Sequence, residues 1–457
     1  MTTGMLTADA LRELVRRGDI DTVLAVFPDL YGRLMGKRVH GHFFIDQVLG
    51  DGMHACDYLL ACDMEMDVVP GYSFATWERG YGDMHAAPDL TTLRLATWLP
   101  KTAMVLCDLA RDDHQAIAVS PRQILRHQID AAKQMGYEAF GGSEIELYLF
   151  DDSYAQAHAK NYHNLKPSGN YNEDYHILQG TREEAVIGAI RRHLDASGVP
   201  VEGSKGEAGI GQQEINLRFG PVLTQCDANV IYKHAAKEIA DSVGKSVTFM
   251  AKWDEKHTGS SAHIHMSLRG LDGRAVFAGD EPCGPVLSSR EFRWFLGGWM
   301  RYAADFAICF APYPTSYKRY QSRSWAPTTI AWSYDNRTAG LRVVGHDKSL
   351  RVENRIPGAD ANPYIAYAAG LAAGLEGIRQ QIEPGAAFEG DIYAARALPQ
   401  IPSTLRDAMQ RFERSSVAQN SFGADVHAHL LRFAQYEQEA FDQVVTSWER
   451  ARYFERA

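Results

Sequence analysis

The chain has 457 residues, 45% of them hydrophobic and 23% charged, the balance of a globular protein with enough core for two domains. Its formal charge of −10, with no basic run to override it, argues against nucleic acid or another polyanion as partner. Six scattered cysteines, Cys56, Cys62, Cys107, Cys226, Cys283 and Cys309, include no C-x-x-C pair and read as reduced, mostly buried thiols.

Met1 to Thr7 lacks the charged and apolar regions of a secretory leader, so a cytoplasmic location is expected. Thr7 is placed to cap a helix over Ala8 to Arg17, with Leu11, Leu14 and Val15 on one face and Gly18 ending it. Thr22 to Phe27 and Leu34 to Val39 read as strands around a turn at 28–33, followed by a short helix near Phe43 to Leu49. Thr92 to Thr97 and Ala103 to Leu109 are further strand candidates. The polar run Arg111-Asp112-Asp113-His114 then marks a boundary, giving a small domain over 1–112 and a large one over 113–457.

Ser120-Pro121 reads as a cap with a first-turn proline, opening a helix that Gly136 closes. Helical patterns at Arg182 to Ala196, Ala228 to Val243, Arg290 to Phe310, Tyr364 to Ile382, Thr404 to Phe412 and Val426 to Arg452 alternate with strands, a mixed α/β pattern. The most apolar stretch, Tyr364 to Leu375, falls well short of the ~20 residues a bilayer needs. No membrane span is expected.

Between the first two helices of the large domain lies Gly142-Ser143-Glu144-Ile145-Glu146-Leu147-Tyr148-Leu149-Phe150. Its alternation puts Glu144 and Glu146 on one face of a strand, about 7 Å apart. Two like charges so placed repel, and a bound cation turns that repulsion into attraction. Three more strands carry polar faces: Glu214-Ile215-Asn216-Leu217-Arg218, preceded by Glu207 across the turn 208–211; His263, His265 and Ser267; and Arg351, Glu353 and Arg355. An antiparallel strand ordinarily turns such a face to water. Four together read as one charged cavity for cations and an anionic ligand. The candidate ligands are five glutamates and a histidine without thiolates, a hard donor set suited to Mg²⁺ or Mn²⁺. Arg319, Arg337, Arg342, Arg351 and Arg355 follow closely in sequence, and guanidinium forks match carboxylate and phosphate.

There is no G-x-x-x-x-G-K-[ST], G-x-G-x-x-G, G-x-S-x-G or H-E-x-x-H, which removes the usual phosphate-loop and hydrolase routes. His427 and His429 fall in a helical pattern, where i, i+2 side chains diverge, and are read as structural.

These residues resemble the glutamine synthetase family, type I-like. Its motifs run in order through nearly the whole chain: Gly142-Ser143-Glu144-Ile145-Glu146, Glu207 to Glu214, Thr248-Phe249-Met250-Ala251-Lys252, Gly259 to His265, Ser316-Tyr317-Lys318-Arg319, Asn336-Arg337 to Arg342, Arg351 to Pro357, and Asn362-Pro363-Tyr364. The resemblance implies an α+β fold, a small N-terminal β-grasp domain before a large catalytic domain whose antiparallel sheet lines the active site. It implies that Glu146, Glu207 and Glu214 bind one metal and Glu144, His263 and Glu353 a second, with two or three Mg²⁺ or Mn²⁺ ions per site. It further implies that His265, Ser267, Arg342 and Arg351 contact ATP, that Arg319 holds glutamate, and that Arg337 and Arg355 meet the transferred phosphate and γ-carboxylate. A homo-oligomer is implied too, a dodecamer of two stacked hexameric rings with active sites between neighbouring subunits.

The chain departs from that pattern around the acceptor. Ammonia-using members carry a glutamate six positions after the arginine of Ser-Tyr-Lys-Arg, and here that position is Trp325. The Asp-Gly-Ser-Ser motif is missing near Gly50 to Asp57, Lys205-Gly206 replaces a His-His pair, and Thr258 replaces an asparagine. An aromatic in place of a carboxylate removes an ammonium contact and offers surface to an alkylamine. The expectation is a ligase of the γ-glutamyl-amine branch, joining L-glutamate to ethanolamine, isopropylamine, methylamine or a polyamine. Glutamine synthesis from ammonia and a catalytically silent oligomer are the alternatives. Asp51, His54 and Asp57 are candidates for an amine-facing base, and Tyr393 is read as structural.

Overall fold

The computed structural model describes residues 3–457; Met1 and Thr2, the start of the stretch read as lacking a leader, lie outside the described residues. Thr7 Oγ1 accepts from the Ala10 amide at 3.1 Å and starts helix α1 (Ala8–Arg16), whose Leu11 and Val15 are buried. A six-stranded sheet follows, built from β1 (Thr22–Pro28), β2 (Leu34–His40), β3 (Met53–Cys56), β4 (Asp83–Pro88), β5 (Arg94–Leu95) and β6 (Thr102–Ala110). Its order is β2-β1-β6-β4-β3 with β5 on β6, and β1 and β6 run parallel. Strands β3 and β4 carry little β-branched character, which is why periodicity alone passes over them. The stretch expected as a strand over Thr92 to Thr97 pairs only at Arg94 and Leu95, because Asp89 caps a single tight turn at Leu90–Thr92.

Ser120 sits at the start of α2 (Pro121–Gln134) but its hydroxyl makes no capping bond; the first-turn proline carries the helix start, lacking the amide a cap would satisfy. The second sheet has eight strands: β7 (Tyr137–Phe150), β8 (Val201–Gly206), β9 (Gln212–Pro221), β10 (Ser246–Thr248), β11 (Ala262–Gly270), then, after a separate hairpin of β12 (Glu281–Cys283) and β13 (Val286–Ser288), β14 (Trp332–Tyr334), β15 (Leu341–Val344) and β16 (Arg351–Asn354). The order is β14-β15-β16-β11-β7-β9-β8, with β10 on β7. Every pair is antiparallel except β14 with β15. This α+β arrangement matches the expected fold class.

Helix α3 (Val222–Ser242) packs behind the second sheet, α4 (Arg290–Tyr302) packs against α5 (Pro363–Gln380), which also meets α2 and α3, and α6 (Ala424–Asp442) lies near the C-terminus. Glycines of α4 and α5 let the two helices pack closely: a Cβ on Gly377 would lie 2.1 Å from the Trp294 carbonyl, and one on Gly298 of α4 2.1 Å from that of Ala373. Among the described residues no helix is long and apolar enough to cross a membrane. The long helical pattern ending at Arg452 is split, because Thr446 caps a separate helix over Ser447–Tyr453.

A buried cation joins the two sheets. Arg122 of α2, 1% exposed, donates to Asp108 near the end of the central strand β6 and to Asp89 just after β4 (2.5 and 2.8 Å), and to both carboxylate oxygens of Asp227 in α3 (3.0 and 2.9 Å). Removing one partner of such a network strands the others away from water. Arg122→Met is therefore expected to lower unfolding stability by about 3–5 kcal/mol, measured by chemical denaturation; a loss below about 1 kcal/mol would show that Asp227 finds solvent or another donor.

Candidate active site

The site is written in strand register. Residues directly opposite in antiparallel strands share a face, and the pairs Lys205 with Glu214, Glu214 with Glu146, Glu144 with His263, His265 with Glu353, and Glu353 with Arg342 run across β8, β9, β7, β11, β16 and β15. One face of the sheet thus carries nearly every charged residue singled out in the sequence. It is largely shielded from water: Glu146, Glu214, His263, His265 and Glu353 are buried, while Glu144, Lys205 and Arg342 are partly open.

Ligand atoms of Glu146, Glu207 and Glu214 lie within 4.8 Å of one another, as do those of Glu144, Glu214 and His263, and those of Glu144, His265 and Glu353. The first trio is the set expected for one metal. The second expected set, Glu144, His263 and Glu353, meets at His263, whose Nδ1 is 3.4 Å from both Glu144 Oε2 and Glu353 Oε1. His265, expected on ATP, also stands 3.2 Å from Glu144 Oε1, and Glu214 belongs to two clusters, so the groups are continuous.

The electrostatics fit a cation. Burial, then repulsion from Glu207, pushes Glu146 up to about 7, although Ser261 donates to it from both its amide and its hydroxyl at 2.7 Å. Burial and the carboxylates of Glu144, Glu146 and Glu207 push Glu214 up to about 9. Burial also opposes ionisation of Glu144, but hydrogen bonds from His263 and His265 outweigh it and hold that carboxyl low. Burial and the Arg355 guanidinium lower His263 to about 4, leaving a neutral imidazole of the kind that ligates metal. Glu353 stays ionised against burial because Arg355 faces it; Arg355 and Arg342 donate to its two oxygens at 2.6 and 2.8 Å.

Glu144, Glu146, Glu207, Glu214 and His263 line a cleft of about 540 Å³ together with Arg319, Arg337, Arg342, Arg355 and Trp325. An adjoining hollow of about 410 Å³ shares Glu144, Glu202 and Asn216 with it and holds His265, Ser267 and Arg351. Three of the four expected ATP contacts are therefore neighbours in one hollow, while Arg342 lies in the first cleft, tied to Glu353 and Asp335. Arg319 is 3% exposed and donates to the carbonyls of Ile356 and Arg355 at 2.8 and 2.9 Å. Arg337 is exposed and makes no ion pair among the described residues.

Trp325 is 58% exposed and sits at φ +64° in the left-handed region. Tyr393 anchors the loop by donating from its hydroxyl to the Ala326 carbonyl at 2.7 Å, a structural role as expected. Asp51, His54 and Asp57 do not line this cleft within the one chain. His427 and His429 spend a ring nitrogen each on the carbonyls of Phe412 and Leu60. Sequence reading missed Asp174, Tyr175 and Glu202, which line the cleft. Asp174 and Tyr175 sit in irregular backbone and carry no periodic signal, whereas Asn216, two residues after Glu214 on β9, was legible as a neighbour on its face.

Adjoining acidic clusters flanked by arginines define the class: an enzyme for phosphate-bearing substrates handled with divalent cations. The family model for the glutamine synthetase catalytic domain matches residues 118–453, and the chain belongs to the glutamine synthetase family. It is 45% identical over 454 residues to the gamma-glutamylethanolamide synthetase GlnA4 of Streptomyces coelicolor, covering 99% of this chain and 97% of that protein. It is 34% identical to the glutamate–isopropylamine ligase of a Pseudomonas species, covering 97% of each. Among solved structures, the GmaS/ADP complex superposes with a TM-score of 0.85 at 26% identity, over 97% of this chain and 99% of that one.

A carboxylate whose acidity is weakened by folding stabilises the fold at low pH and loses that contribution as pH rises through its folded value. Glu146 and Glu214 therefore predict that the metal-stripped protein becomes less heat-stable between about pH 5 and 9, while the stabilisation given by added Mg²⁺ grows across that window. Thermal shift in buffers from pH 5 to 9, with and without Mg²⁺, reads this; a Mg²⁺ effect that is flat with pH would be the opposite result.

Proposed function

We propose that the chain is an ATP-dependent ligase that activates the γ-carboxylate of L-glutamate and couples it to a small primary amine, giving a γ-glutamylamide, ADP and phosphate. The observation that carries this reading is a set of acidic side chains, Glu144, Glu146, Glu207 and Glu214 with His263, lining one cleft with Trp325, an apolar aromatic where ammonia-using members have a carboxylate. The names of the two relatives, a gamma-glutamylethanolamide synthetase and a glutamate–isopropylamine ligase, support it.

Glu146, Glu207 and Glu214 would hold one divalent cation and Glu144, His263 and Glu353 a second, Mg²⁺ or Mn²⁺. Bound there, these ions supply neutralisation of charge on the transferring phosphoryl group. His265, Ser267 and Arg351 line the hollow we assign to ATP, and Arg342 reaches from the neighbouring cleft. Arg319 is assigned to glutamate, and Arg337 and Arg355 to its γ-carboxylate and the departing phosphate. A carboxylate is a poor electrophile, so its oxygen first attacks the γ-phosphorus of ATP and ADP leaves. The neutral amine nitrogen then attacks the acyl carbon, phosphate departs and the nitrogen loses a proton. Trp325 presents apolar surface to the alkyl part of the amine and excludes water beside the acyl phosphate. We also propose that 1–112 and 113–457 are the two domains, and that the chain assembles as a dodecamer of two hexameric rings, which light scattering would measure.

The test is release of ADP and phosphate from ATP with glutamate, Mg²⁺ and ammonium, methylamine, ethanolamine, isopropylamine or putrescine in turn. An organic amine is expected to outpace ammonium; best turnover with ammonium would make the enzyme a glutamine synthetase, and no turnover with any of them would favour a silent oligomer. Trp325→Glu is expected to shift preference toward ammonium by about tenfold or more in relative kcat/KM, and an unchanged preference would remove Trp325 as selector. Glu214→Gln is expected to weaken Mg²⁺ binding by at least about tenfold, read by metal titration.

A further inference from the structure

We propose that Lys205 is a specificity-determining residue that limits the acceptor to monoamines with an uncharged tail, by filling with its own ammonium the place a second substrate ammonium would take. This deepens the amine-ligase reading and rests on it. Lys205 lies on β8 at the sheet edge and lines the same cleft as Trp325. Its Nζ pairs with Glu207, stands 3.6 Å from Asp174 Oδ1 and lies 4.4 Å above the ring of Tyr175. Carboxylates beside an aromatic face are the groups that recognise an alkylammonium. Here the occupant is a four-carbon ammonium tethered to the wall.

The tether matters because the side chain is held inward. Lys205 is 21% exposed and Glu207 16%, so turning Lys205 outward would take its ammonium away from the largely buried Glu207 and from Asp174, whose side chain is 50% exposed. A monoamine such as ethanolamine or isopropylamine brings one nitrogen, which reacts in its neutral form, and no further charge. A diamine brings a second ammonium that meets Lys205 both as volume and as like charge, with the recognising groups already taken.

Butylamine and putrescine separate these terms, since they share a four-carbon chain and differ in the terminal ammonium. The wild-type protein is expected to use butylamine over putrescine by about tenfold or more in kcat/KM at saturating Mg²⁺. Lys205→Met, which keeps the volume and removes the charge, is expected to reduce that preference by about tenfold, and Lys205→Arg to retain it. Equilibrium dialysis of labelled putrescine against the Mg²⁺-loaded full chain gives the comparison without turnover, with tighter binding expected for Lys205→Met than for wild type. Equal wild-type use of the two amines, or unchanged preference and unchanged putrescine binding in Lys205→Met, overturns the proposal. Absence of turnover with every amine would overturn the ligase reading instead, and the dialysis would still decide the role of Lys205.

Discussion

The structure is organised around a repulsion. Glu144, Glu146, Glu207 and Glu214 converge on one face of a sheet, largely out of water, where like charges interact far more strongly than in solvent. The fold answers this with fixed positive or donating groups around the carboxylates. His263 and His265 face Glu144, Ser261 and Gln212 donate to Glu146, Lys205 pairs with Glu207, and Arg342 with Arg355 bracket Glu353. Glu214 is reached by none of these groups, only by the Asn216 side-chain amide at 3.3 Å, and its carboxyl is pushed up to about 9. The residual imbalance is the place where a divalent cation gains most.

The cleft draws its side chains from strands and from a loop. The acidic rows come from strands, whose register is set by backbone hydrogen bonds and cannot slip by one residue without inverting the face. Trp325 comes from a loop, in a left-handed conformation that costs a bulky residue on the order of 1–3 kcal/mol. That conformation persists because its surroundings fix it: Tyr393 holds the next carbonyl, and Ser324 donates to the carbonyl of Gln321 at 2.6 Å. A loop of this kind can change its side chain without disturbing the strands that carry the acidic rows.

The joint between the two sheets is polar as well as apolar. A single apolar cluster runs from Leu11 through both sheets to Ala434, and within it Arg122 gathers three aspartates from either side. Directional bonds of this type fix how one sheet sits on the other, a specification that apolar packing alone supplies less sharply.

The sequence by itself determined much of the site. Period-two alternation put Glu144 with Glu146, Glu214 with Asn216 and His263 with His265 on common faces, because side-chain direction in a strand is a local property. Hard oxygen donors without thiolates pointed to magnesium or manganese for the same local reason, and the helix starts at Thr7 and Pro121 followed from adjacent residues. Only the tertiary structure decided how those faces combine. That Glu214 stands opposite Glu146, that His265 joins Glu144 and Glu353, and that Arg342 stands opposite Glu353 all depend on strand register and order, which residues far apart in the chain set together. The short strands β3 and β4 and the cleft residues Asp174, Tyr175 and Glu202 were invisible for a related reason: their position comes from what they pack against, and no pattern in their own neighbours encodes it.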